Sequence, residues 1–242
     1  MELSALPVGP DATVVTLPEC LSAEAVARLA AAFDAAVAGP AHVVLLAGAD
    51  ERTFCTGLAL RESDDPIDTD AFAALLASLV DAPKATLAVV DGQAIGGGLG
   101  LAAACDWVLA TSRSTFALPE LLWGLVPAMI WPIVTLRMGH GSARRWTIEA
   151  HTHGAADAMA AGLVDEVADA GAEPRAVRRA LRMLQRADAN ALRTLRQWVR
   201  DSRELPWRQA VARGAAMTAH MARSPQARAR IAAFARGEAP WA

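Results

Sequence analysis

The chain has 242 residues, 54% of them hydrophobic and 20% charged, with a net charge of −3. That balance excludes a disordered chain, and no apolar run reaches the ~20 residues of a membrane helix. The three cysteines, Cys20, Cys55 and Cys105, show neither metal-ligand spacing nor a disulfide framework, and His151 and His153 have no acid or thiol pattern beside them, so no metal is expected. The opening "MELSALPVGPDATVV" has no basic segment leading into an apolar one, so a cytoplasmic protein without a secretory leader is expected.

Taken in chain order, "TVVTL" (13–17) reads as a strand. "SAEAVARLAAAFDAAV" (22–37) reads as an amphipathic helix capped by Ser22. "HVVLLAG" (42–48) is a buried strand, "DTDAFAALLASLVDA" (68–82) a second helix and "ATLAVVDG" (85–92) another strand. The run "GQAIGGGLGLAAACD" (92–106) opens a third helix, and "WVLAT" (107–111) returns to a strand. Strands alternating with helices predict an α/β fold with largely parallel pairing. Strand signals stop near 171. Beyond it, Val177, Leu181 and Leu184 share one helical face, and Leu192, Leu195 and Val199 share another.

Charge is distributed unevenly. Residues 1–170 hold 8 basic and 21 acidic side chains, a net of −13, whereas residues 171–242 hold 15 arginines and 5 acids, a net of +10. No aromatic-rich basic groove or helix-turn-helix spacing appears, so nucleic acid is not an expected partner. The basic end is either a solvated face or a patch for an acidic partner.

The glycine cluster admits two readings. Gly98-Leu99-Gly100-Leu101-Ala102-Ala103 fits G-x-G-x-x-A, with Glu120 about 20 residues on, as a dinucleotide site would have. The context disagrees. Asp91 to Ile95 separate the strand from the glycines, and Glu120 follows a short strand and a proline turn. The second reading pairs the cluster with Phe54-Cys55-Thr56-Gly57-Leu58. Two glycine-bearing turns, each after a strand, present backbone N–H groups that can converge as an oxyanion hole.

At these residues the sequence resembles the crotonase, or enoyl-CoA hydratase/isomerase, superfamily. The resemblance rests on "VVLLAGADERTFCTGLAL", "KATLAVVDGQAIGGGLGLAAACDWVLAT", "STFALPELLWGLVP" and "GAADAMAAGLVDEV", in that order. It implies a β-β-α spiral core over residues 1–188 and a C-terminal helical trimerisation region over 189–242, assembled as a homotrimer or hexamer. It implies the N–H groups of Leu58 and Gly97 as oxyanion donors. Hydratases of the family carry two glutamates. At the first of these positions this chain has Gly100; at the second it keeps Glu120, the expected acid/base. Flanked by Leu118, Pro119, Leu121, Leu122 and Trp123, Glu120 should be desolvated and its pKa raised.

Within the superfamily, "FCTGLAL" and the stretch from Leu118 to Val167 look most like the dehydratases of polyketide β-branching. The likeness implies removal of water from 3-hydroxy-3-methylglutaryl on an acyl carrier protein, giving 3-methylglutaconyl. Alternatives of the same fold are a hydratase/isomerase acting on a coenzyme A thioester and the decarboxylating homologue of the same cassette. The fold class also admits a non-catalytic scaffold. No cofactor is implied beyond the phosphopantetheine of the carrier, or coenzyme A, that bears the acyl group. Arg61 and Lys84 are candidates for the substrate's distal carboxylate, and Trp123 and Trp131 for the acyl pocket wall. Arg223, Arg228 and Arg230 are candidates for steering an acidic carrier. Cys55, beside the oxyanion turn, is expected to be buried packing rather than a nucleophile.

Overall fold

The computed structural model describes residues 8–59, 69–169, 172–239 and 241. After β1 (Ala12–Leu17), α1 (Ala23–Ala38) starts where the Ser22 side chain accepts a hydrogen bond from the N–H of Ala25. The chain then repeats one unit. A long buried strand turns into a short strand, and a helix follows: β2 (Val43–Gly48), β3 (Thr53–Cys55), α2 (Thr69–Val80); then β4 (Ala85–Val90), β5 (Gln93–Ile95), α3 (Gly97–Ala103). In the third unit β6 (Trp107–Thr111) and β7 (Thr115–Ala117) lead to a 3-10 turn (Glu120–Trp123) and α4 (Trp131–Glu149). β8 (His153–Gly154), α5 (Ala155–Ala160) and β9 (Glu166–Ala168) complete the strands. The helices α6 (Glu173–Leu184), α7 (Ala189–Ser202), α8 (Trp207–Met221) and α9 (Pro225–Ala235) follow.

The long strands form a parallel sheet in the order β1-β2-β4-β6-β9. The short strands form a second sheet, β3-β5-β7-β8, parallel except for β8 against β7. Each unit therefore hands the chain from the large sheet to the small one before the helix, which is the β-β-α spiral. Both faces of the large sheet are covered, so its strands read as continuous apolar runs. Val44 and Leu46 of β2 face one core with Phe33, Phe72 and Leu99, while Val43 and Leu45 face a second with Val177 and Leu181 of α6.

The short strands β3, β5 and β8, together with β9 and α4, are elements that the periodicity does not mark. The strands have only two or three residues each, too few for alternation to show. In α4 the helical run is broken at Gly139, whose φ of 75° kinks it. Leu192 packs against the second core, but Leu195 is exposed, and α7, α8 and α9 contain no buried residue. The attachment of α7 is polar instead. Arg196 donates to both carboxylate oxygens of Asp106 and to the carbonyls of Ala82 and Lys84. No helix among the described residues is long and apolar enough to cross a membrane.

Candidate active site

The turns after β3 and β5 meet. Gly57 has a φ of 85°, and a Cβ on it would stand 2.8 Å from the Ile95 carbonyl oxygen and 2.9 Å from the Gly97 nitrogen. Only a bare glycine backbone lets the two segments approach this closely. The approach is fixed from the other side by Leu21, whose N–H donates to the Gly57 carbonyl at 2.8 Å and whose carbonyl accepts from Ala59 at 3.2 Å. Gly97 is the first residue of α3, so its N–H has no partner within the helix. Neither it nor the N–H of Leu58 enters a turn or loop backbone bond among the described residues. Both residues line one cavity of about 450 Å³.

Glu120 enters the same cavity from β7. Pro119 ends the strand, and Glu120 begins the 3-10 turn, which closes at Gly124 with φ 70° and the Leu125 N–H donating to the Glu120 carbonyl at 3.0 Å. The side chain lies over Gly96, where an added Cβ would be 2.9 Å from Oε1. The other carboxylate oxygen, Oε2, is buried and has no hydrogen-bond partner among the described residues. Loss of solvent pushes the Glu120 carboxyl above its ordinary range, and outweighs the opposite pull of its own backbone N–H. An unpaired, desolvated carboxylate costs free energy. It is a competent proton acceptor for an acidic C–H held nearby.

The remaining glycines of the cluster serve packing. A Cβ on Gly98 would lie 1.9 Å from the Cys55 carbonyl oxygen, and one on Gly100 would lie 2.2 Å from Cγ2 of Ile130. What these two cradle is the chain itself, not a dinucleotide phosphate. The position where a second carboxylate is implied by the family resemblance is thus filled from outside by an isoleucine.

A model of the enoyl-CoA hydratase/isomerase family matches residues 16–241. The chain belongs to that family. It is 33% identical over 131 residues to YngF of Bacillus subtilis, an enoyl-CoA hydratase/isomerase-like protein, covering 51% of this chain and 50% of YngF. Carnitinyl-CoA dehydratase of Proteus mirabilis is 38% identical over 92 residues, 36% of this chain and 35% of that protein. The matched segment therefore spans half or less of these curated relatives. An enoyl-CoA hydratase/isomerase family protein from Silicibacter pomeroyi has a solved structure of the same fold. Its TM-score is 0.78 at 27% identity, over 90% of this chain and 97% of that one.

Within this crotonase-type cavity the candidates from sequence separate. Leu58, Gly97, Glu120 and Trp123 come together; Trp131 packs against the core instead. Cys55 is fully buried in apolar packing, which pushes its thiol up to about 12, far from a reactive thiolate. Lys84 is not in this site. Its Nζ donates to the carbonyls of Ala36 and Gly39 at the end of α1, satisfying helix carbonyls that have no partner of their own. It lines a second cavity of about 650 Å³ with Arg182, Arg186 and Arg230. That cavity is lined by Asp11, His42 and Lys84 at the amino ends of β1, β2 and β4 and shares no lining residue with the Glu120 cavity, so Arg230 does not line the candidate site. Arg61 lies outside the described residues. Sequence reasoning missed Ile130, an apolar residue whose packing over Gly100 has no local signal.

Proposed function

We infer that the protein is a hydro-lyase of the enoyl-CoA hydratase type, removing water from a 3-hydroxyacyl thioester. The observation that carries this reading is the desolvated Glu120 Oε2, without a hydrogen-bond partner among the described residues, in the cavity that Leu58 and Gly97 also line. The thioester oxygen accepts hydrogen bonds from these two N–H groups. Glu120 takes a proton from C2, and the electron pair moves onto the thioester oxygen. Each such donor is worth about 3–4 kcal/mol of barrier when it is aimed at the developing charge. The enolate then reforms its carbonyl and expels the 3-hydroxyl, which leaves as water with the proton returned by Glu120. No other acid lines the cavity among the described residues, and the Thr56 hydroxyl already donates to the Glu19 carbonyl. The Thr69 hydroxyl also lines the cavity; in this reading the one carboxyl group serves as both base and acid.

The finer reading is dehydration of 3-hydroxy-3-methylglutaryl on an acyl carrier protein in polyketide β-branching, by a homotrimer or hexamer. It rests on the likeness of "FCTGLAL" and "LPELLWGLVP" to those dehydratases. It requires Arg61 to meet the distal carboxylate, because no cation lines the cavity among the described residues. That apolar lining is also what favours the second reading, a hydratase/isomerase of uncharged acyl groups on coenzyme A. Mass spectrometry of a carrier loaded with 3-hydroxy-3-methylglutaryl decides between them. Loss of water supports the finer reading, and loss of carbon dioxide points to the decarboxylating homologue. No change, with turnover of 3-hydroxybutanoyl-CoA, leaves the coenzyme A reading.

A further inference from the structure

Two residues of α3 and its cap, Gly96 and Gly100, are one helical turn apart, with the Gly100 N–H donating to the Gly96 carbonyl at 3.0 Å. They present one face. Glu120 lies over the first and Ile130 over the second. Ile130 is 3% exposed, sits at the start of α4 and lines the Glu120 cavity. Its fit over Gly100 is tight along its length: an added Cβ would meet Cγ2 at 2.2 Å, Cβ at 2.8 Å and Cδ1 at 3.6 Å. Rotating the side chain cannot clear a contact to Cβ itself, so any side chain at 100 must move the start of α4. The Ile130 carbonyl accepts from the N–H groups of Ile133 and Val134, which ties that shift to the whole first turn.

We propose that Ile130, seated over Gly100 one turn beyond the base, is the residue that closes the inner end of the acyl site and sets the length of acyl chain it accepts. This deepens the functional reading above and rests on it, since it takes the Glu120 cavity as the acyl site. The physical basis is contact area. A missing or extra methylene in an apolar pocket changes selectivity by about 10–200-fold. Trimming Ile130 to alanine joins the space of its outer carbons to the cavity. Adding a methyl at Gly100 does the reverse, driving Ile130 into it.

Binding of butanoyl, hexanoyl and octanoyl thioesters of pantetheine tests this without requiring turnover, because that arm is common to coenzyme A and carrier proteins. Ile130→Ala should shift preference from butanoyl toward octanoyl by about tenfold or more. Ile130→Val, which retains most of the packing, should shift it in the same direction by less. Gly100→Ala should weaken the longer chains most, and Gly100→Ala with Ile130→Gly, which removes the opposing Cβ as well, should relieve that defect. An unchanged chain-length preference in both Ile130 variants overturns the proposal, as does a Gly100→Ala defect that Ile130→Gly leaves unrelieved. Failure of every thioester to bind removes the acyl site and the proposal with it. Failure of the catalytic reading is seen separately, as full turnover by Glu120→Gln with the chain-length shifts intact.

Discussion

Oε1 of Glu120 stands 2.9 Å from the point that a Cβ on Gly96 would occupy, so the carboxylate packs against bare backbone beside the first turn of α3. Gly96 has a φ of 51° and a ψ of −115°, which an L side chain adopts only under strain. The same residue thus turns the chain so that Gly97 opens α3 and leaves room for the Glu120 carboxylate. The Glu120 carboxylate and the Gly97 N–H, the proton acceptor and an oxyanion donor of the proposed reaction, are placed by a single local geometry.

Replacing Glu120 by glutamine should keep the fold and remove most turnover, by about 10²–10⁴-fold, because the amide cannot take the C2 proton. Steady-state rates with circular dichroism on the same samples check this. A variant with wild-type rate would show that another group moves the proton.

The pH dependence follows from the raised Glu120 pKa. As a base Glu120 must be ionised, so kcat/KM should rise with pH through a value above the ordinary 4.5 for glutamate and then level off. Stability runs the opposite way. Between the unfolded and the raised folded pKa the native state binds more protons, so this group stabilises the fold below the unfolded value and that contribution is lost as pH rises through the folded one. Glu120→Gln should therefore melt higher than wild type at neutral pH, and the gap should close on acidification. Equal melting temperatures at both pH values would contradict the burial cost.

At Gly98 the strain is backbone against backbone. A methyl there would meet the Cys55 carbonyl oxygen at 1.9 Å and its carbon at 2.6 Å, so β3 and α3 must separate. Gly98→Ala should destabilise the protein by several kcal/mol, at the upper end of single substitutions. Chemical denaturation reads this directly, and an unchanged midpoint would mean that the two elements are not packed as described.

Arg196 and Asp106 hold α7 to the core through a mostly buried ion pair with side chains 11% and 19% exposed. Removing the guanidinium leaves Asp106 and two carbonyls short of donors. Arg196→Ala should cost about 3 kcal/mol, the low end for breaking such a pair. Arg196→Lys should recover little, since an ammonium cannot span the carboxylate and both carbonyls. Limited proteolysis should then cut near residue 188 faster than in wild type.

The last helices leave Trp207, Val211, Ile231 and Phe234 exposed, at 59–71% of their surface. Large apolar side chains left this exposed are those expected at an interface between copies of the chain. The protein should be a homo-oligomer in light scattering, and Ile231→Asp with Phe234→Asp should lower its mass to that of one chain. A monomeric wild type would refute the assembly expected for the tail.

The sequence by itself determined four of the five strands of the large sheet, the capped first helix and the two glycine-bearing turns. Each is a local property: buried strands must be continuously apolar, Ser22 supplies the oxygen a helix start lacks, and Gly57 and Gly97 mark where backbone must pass close. The tertiary structure alone decided which groups share the cavity. Lys84 is drawn away by unpaired carbonyls at the end of α1, from residues far off in the chain. Ile130 arrives over Gly100 from 30 positions later. The short strands β3, β5 and β8 owe their existence to pairing with one another. Contacts between distant segments leave no period in the chain, because the space each side chain fills is shaped by partners that only folding brings together.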